Sequence, residues 1–179
     1  ITNIYEGTSQ LQIVAAVRGV SSGAFEKRIE EFEQAAYEDG LHRELLARLV
    51  DGKQQVIETI QFVKSQGTDF LDLAGRSLVE AAAAVYMGHL LLQQAAGLRL
   101  RGTDTQTGAG VMFEDVGERG PQHERKTRVA RRFIDTEMPK VRLYCEQIRT
   151  GDRTPLDEFE QLAGPLPVNP FSMPPVATS

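Results

Sequence analysis

The sequence predicts an all-α protein, an antiparallel helical bundle of about five long helices ending in an extended, proline-rich tail. Three observations carry that expectation. Nearly every long segment repeats its apolar residues at helical spacing, and no stretch shows a convincing two-residue strand alternation. Glycine, serine and proline gather mostly where one segment gives way to the next. With 179 residues, 41% of them hydrophobic and 25% charged, the chain is globular in composition and long enough to bury a core.

The first segment, Ser9 to Val20, places Leu11, Val14 and Ala15 on one side, and Ser21-Ser22-Gly23 interrupts it. From Ala24 to Asp39 the residues Phe25, Ile29, Phe32 and Ala36 form an apolar stripe, with Gly40 as the expected stop. Leu41 to Gln66 forms a third helix with Leu45, Leu49, Val56, Ile60 and Val63 inward. Gly52 in its middle costs about 1 kcal/mol relative to alanine, so it marks close packing or a break.

Thr68 reads as the N-cap of the next helix, with Asp69 in its first turn, where the helix dipole favours a negative charge. This helix, to about Ala96, is the most apolar. Four consecutive alanines at 81 to 84 suggest a close helix crossing. A membrane span needs about 20 apolar residues, and Glu80, His89 and Gln93 interrupt this run, so it reads as a buried bundle helix. His89 then reads as a hydrogen-bonded core or boundary histidine. Glu80, if buried, would need a partner.

Leu98 to Gly120 is glycine-rich and reads as the longest irregular stretch. Gly108 and Gly110 follow no predicted strand, so they do not form a dinucleotide fingerprint. Pro121 at N1 opens a long helix to about Thr150, with Ala130, Phe133, Val141, Tyr144, Cys145 and Ile148 along one side. Pro139 inside it predicts a kink near Glu137. Gly151-Asp152 ends it, and Thr154-Pro155 starts a short helix through Ala163. From Gly164 onward five of the eight prolines crowd together, which predicts extended chain.

The formal charge of −5 argues against nucleic acid as a partner. The charge is uneven: Glu118 to Arg153 holds ten Lys/Arg against six Asp/Glu, whereas Ser21 to Gly40 holds six acids against two bases. This describes an acidic helix and a basic helix, each with a solvated face, packed as neighbours. Alternatively, Arg125, Lys126, Arg128, Arg131 and Arg132 form a patch for an anionic ligand or a membrane headgroup. Three scattered histidines and the single Cys145 give no metal-ligand spacing, and one cysteine excludes an internal disulfide. A lone thiol fits a reducing compartment.

The chemistry-bearing segment is the first ten residues, Ile1-Thr-Asn-Ile-Tyr-Glu-Gly-Thr-Ser-Gln10. Glu6 stands between Tyr5 and Gly7, just ahead of hydroxyls suited to capping a helix. On residue type and spacing alone two readings stay open: a site carboxylate on a loop at a helix entrance, or a solvated glutamate before an N-cap.

The string Ile4-Tyr5-Glu6-Gly7-Thr8-Ser9-Gln10 also resembles the catalytic-base segment of the acyl-CoA dehydrogenases. The resemblance implies that Glu6 is the base removing an α-proton from an acyl-CoA thioester. Gly7 would lie beside the thioester, and Thr8 and Gln10 would contact FAD. It further implies an electron-transfer acceptor, a homo-oligomer, and a chain that is the inactive C-terminal part of a longer enzyme.

The length beyond the motif is similar to that of members with an extra C-terminal helical domain, the very-long-chain enzymes and the bacterial methylthio-propanoyl-CoA dehydrogenase group. Residues 1–23 would then end the catalytic domain, 24–163 would form the extra bundle, and 164–179 the tail. A non-catalytic module for dimerisation, substrate-channel covering or peripheral membrane docking is the alternative expectation.

Overall fold

The computed structural model describes residues 9–103, 111–115 and 121–164. In chain order the elements are α1 (Ser9–Ser21), α2 (Ala24–Glu33), α3 (Gly40–Gln66) and α4 (Thr68–Ala95). After these come β1 (Leu98–Thr103), β2 (Val111–Asp115), α5 (Pro121–Arg149), α6 (Thr154–Asp157) and α7 (Phe159–Ala163). The expected all-α bundle is the observed architecture. Its frame is the three long helices α3, α4 and α5, which pack most extensively on one another.

Glycine sets how closely these helices approach. At Gly88 of α4 an added Cβ would collide with Leu49 Cδ2 of α3 and lie 3.7 Å from Ile134 Cγ1 of α5. At Gly52 of α3 it would fall 2.9 Å from Met138 Sδ and 3.3 Å from Val85 Cγ2. Gly52 therefore marks close packing rather than a break, and α3 runs through it. The alanine run contributes less than expected: Ala81 and Ala82 are buried, but Ala83 is exposed and Ala84 half-buried. All five residues predicted inward on α3 are buried. A single residue, Gly67, joins α3 to α4, and its φ of 91° lies in the left-handed region where glycine is favoured. Gly67, not Thr68, occupies the N-cap position.

Helix α2 is shorter than expected. Its stripe of Phe25, Ile29 and Phe32 is buried, but the helix stops at Glu33, and Ala36 is exposed in the connection that follows. The stop signal at Gly40 is in fact a start. Asp39 caps α3, its Oδ1 accepting from the backbone amides of Leu41 at 2.7 Å and His42 at 3.2 Å. A carboxylate in that place satisfies amides that the helix itself cannot. Among the described side chains of α1 the buried one is Val17, while Val14 is half-buried and Ala15 exposed; that of Leu11, also predicted inward, lies outside them. Val17 packs at Gly75 of α4, where an added Cβ would lie 2.9 Å from its Cγ2.

The stretch after α4 is not wholly irregular. β1 and β2 pair antiparallel, from Leu98↔Asp115 to Thr103↔Val111, with an irregularity between Leu100 and Gly102. The alternation Leu98-Arg-Leu100-Arg was the strand signal, masked by the glycines around it. Helix α5 runs unbroken through Pro139. Its core residues include Ala130, Val141, Cys145 and Ile148 as predicted, together with Ile134 and Met138, while Phe133 and Tyr144 are half-buried. The short C-terminal helix is two pieces, α6 and α7, divided at Glu158. The proline-rich tail from residue 165 lies outside the described residues.

The basic helix does not take the acidic one as its main neighbour. α5 pairs instead with α3, through Arg48–Asp135, Asp51–Arg142 at 3.3 Å and Glu58–Arg149 at 3.1 Å. The pairs advance together along both chains, so α3 and α5 run parallel, each antiparallel to α4. These exposed ion pairs fix register more than they stabilise, each contributing about 0–1 kcal/mol. Among the described residues no helix is long and apolar enough to cross a membrane.

Candidate functional site

Glu6, Gly7 and Thr8, the residues singled out by the motif, lie outside the described residues. Gln10 lies in the first turn of α1. The described chemistry is concentrated in three other places.

The first is a polar cluster inside the bundle. Lys53 Nζ of α3 donates to Glu33 Oε2 at the end of α2, at 2.5 Å. Glu33 Oε1 lies 3.8 Å from His89 Nε2 of α4. His89 is fully buried, and its Nδ1 is 2.9 Å from the Val85 carbonyl oxygen. A carbonyl can only accept, so Nδ1 carries a proton. That leaves Nε2 as the ring atom nearer the carboxylate. Burial by itself would raise the Glu33 carboxyl, but the His89 ring 3.8 Å away and the hydrogen bond from Lys53 hold it below the usual carboxylate range. The same negative charge, added to burial, pushes the Tyr37 phenol up. Phe32 stacks on the His89 ring at 6.1 Å. The sequence marked His89 correctly as a core histidine but gave no sign of Glu33 or Lys53, which lie 56 and 36 residues away along the chain. Glu80, which would have needed a partner if buried, is exposed and pairs with Arg76 at 3.4 Å.

The second is a histidine pair between the start of α3 and the start of α5. His42 is buried and its Nε2 lies 3.1 Å from Thr127 Oγ1. The rings of His42 and His123 meet edge to face at 5.7 Å. Burial lowers the His42 pKa, and His123 adds to that, against the opposing pull of Asp39. An open cleft of about 410 Å³ beside the pair is lined by Glu38, Asp39, His42 and His123 among others. Two imidazoles do not complete a metal site, and the described residues contain no group of three or more metal-ligating side chains.

The third is the outer seam between α4 and α5. Clefts there are lined by Leu91 and Val129 at one end and by Met87, Phe133 and Tyr144 at the other. Met87 and Val129 are each about half exposed, at 50% and 49%. Arg125, Arg128 and Arg132 border an apolar hollow of about 550 Å³ along the start of α5. The basic patch predicted from sequence is therefore real as a surface, and it edges apolar ground.

Residues 21–100 match the family described as acyl-CoA dehydrogenase C terminal. That stretch is similar to an acyl-CoA dehydrogenase C-terminal domain. No curated protein and no solved structure matches the chain. The match takes in α2, α3 and α4, and with them the whole of the Lys53–Glu33–His89 cluster. The bundle that holds the matched stretch is completed by a helix beyond it, since α5 contributes Ile134, Val141 and Cys145 to its core. Among the described residues the buried cluster binds α2 to α3 and α4, which is a holding role.

Proposed function

We propose that this chain is the C-terminal portion of an FAD-dependent acyl-CoA dehydrogenase of the extended kind, which forms an α,β double bond in an acyl-CoA thioester. The observation that carries the reading is the order of two independent signals. The Ile4–Gln10 string runs into the start of α1, and the family match takes over at residue 21. In this reading residues 1–23 close the catalytic domain, 24–163 form the additional bundle, and 164–179 are a tail.

Glu6 takes the α-proton of the thioester, with Gly7 leaving room beside it. That proton is weakly acidic, so the backbone amide of Glu6 donates to the thioester carbonyl and stabilises the developing enolate. A bound acyl chain displaces water from the carboxylate and strengthens it as a base. The hydroxyl of Thr8 and the carboxamide of Gln10 are donors and acceptors of the kind that suit the polar edge of an isoalloxazine. When bound, the flavin supplies the acceptor for the hydride leaving the β-carbon.

The test uses the full flavoprotein. Bound FAD is measured by absorbance, and dye reduction is followed across a panel of acyl-CoA chain lengths. Glu6→Gln should keep the flavin and lose at least about 100-fold in turnover. Substantial remaining turnover in that variant would remove Glu6 from the mechanism. A colourless, inactive parent would leave the second reading, a non-catalytic helical module, which the apolar and basic face of α4 and α5 favours.

A further inference from the structure

The interior cluster holds more polar atoms than its own hydrogen bonds satisfy. Among the described residues, Glu33 Oε1, His89 Nε2, Tyr37 Oη and Gln93 Nε2 are sealed from solvent without a hydrogen-bond partner. Three of these side chains are almost wholly enclosed: His89, Gln93 and Tyr37 are 0%, 4% and 7% exposed. A buried polar atom left alone is costly, so such a group calls for a common partner.

Their placement allows one. Glu33 Oε1 and His89 Nε2 stand 3.8 Å apart, beyond a hydrogen bond. Gln93 follows His89 by four residues, so it sits one turn further along the same face of α4. Tyr37 follows Glu33 by four residues, in the connection to α3. Burial and then the Glu33 charge push its phenol up, which puts that hydroxyl in the field of the carboxylate.

Their chemistry is complementary as well. The carboxylate oxygen can only accept. Because His89 Nδ1 holds the ring proton against the Val85 carbonyl, Nε2 of the neutral ring is an acceptor too. The Tyr37 hydroxyl and the Gln93 amide can donate. Two acceptors and two donors match the four hydrogen-bonding directions of a single water. A water about 2.8 Å from both acceptors meets them at an angle of about 85°, which leaves its two O–H donations close to linear. A metal cation would be opposed by the Gln93 N–H, and an anion by the Glu33 carboxylate.

We propose that Glu33, His89, Tyr37 and Gln93 together hold one buried water molecule, a fixed part of the fold that ties the α2–α3 connection to α4. Lys53 takes the other oxygen of Glu33, so the water completes the network instead of competing with it. The site depends neither on Glu6 nor on a flavin.

The experiment is diffraction from crystals of the 179-residue chain at a resolution that shows ordered water, paired with nitrogen chemical shifts of the His89 ring. The map should hold a peak within hydrogen-bond distance of both Glu33 Oε1 and His89 Nε2, with Tyr37 Oη and Gln93 Nε2 as its further neighbours. The ring should carry its proton on Nδ1 alone. In solution, relaxation dispersion of the water oxygen counts long-lived internal waters. Tyr37→Phe with Gln93→Leu removes both donors, so that count should fall by one while the circular dichroism is unchanged. Should the double variant fail to fold, the wild-type map and shifts decide alone. A dry cluster, or a doubly protonated His89 donating straight to Glu33, overturns the proposal. So does a folded double variant with its full count of long-lived waters.

Discussion

His89 Nε2 lies 3.8 Å from Glu33 Oε1, in the bundle interior, while the other oxygen of that carboxylate accepts from Lys53. One carboxylate thus joins three helices. Removing one cation leaves the charge under-compensated where water is scarce, so Lys53→Met should cost about 2 kcal/mol. Adding Glu33→Gln to that variant should recover part of the loss, which a double-mutant cycle by urea denaturation would measure.

The same carboxylate gives the fold an acid sensitivity. The Glu33 pKa is held below its ordinary value of 4.5 in the folded chain. Its contribution is therefore fully present above that value and is lost as pH falls through the depressed folded value. Stability measured from pH 6 down to pH 3 should fall more steeply in the wild type than in Glu33→Gln.

His42 acts in a higher window. Burial lowers its pKa from 6.5, so the unfolded chain binds the proton more readily than the folded one. Stability should be full above pH 6.5 and decline as pH drops below it. His42→Gln, which keeps a hydrogen-bonding partner for Thr127, should flatten the melting temperature between pH 7 and pH 5.

Two glycines should respond in opposite directions to the same substitution. Gly19 on α1 has nothing within 4 Å of an added Cβ, so Gly19→Ala should stabilise by about 0.4–1 kcal/mol. At Gly88 the added methyl meets Leu49 and approaches Ile134, both fully buried. Overpacking there costs about 1–3 kcal/mol, which outweighs the gain in helix propensity. Thermal melts of the two variants should move apart.

Cys145 is fully buried against α3, and burial pushes its thiol pKa up against the opposing influence of the nearby Thr59 hydroxyl. Its modification by a thiol reagent should therefore follow global unfolding, with a rate that rises with urea. Fast labelling of the native chain would contradict the packing of α5.

Much of the frame was legible. Leu45, Leu49, Val56, Ile60 and Val63 recur at helical spacing because one face of α3 is covered along its whole length. Boundaries were harder, because Gly40 and Asp39 suit either a helix end or a helix start, and only the direction of the Asp39 carboxylate separates the two. The β1–β2 pairing was hidden for a related reason: the strand signal in Leu98–Arg101 is four residues long and is followed by glycine.

The sequence by itself determined the helical class, the lengths of α3, α4 and α5, the absence of a membrane-spanning helix among the described residues, and the motif around Glu6. These are properties of near neighbours along the chain, where period, capping and composition act locally. Tertiary structure decided that Glu33, Lys53 and His89 form one cluster, that Gly52 and Gly88 set the helix spacing, and that α3 carries the ion pairs of α5. Each depends on side chains tens of residues apart in sequence, whose meeting is fixed by how the helices pack.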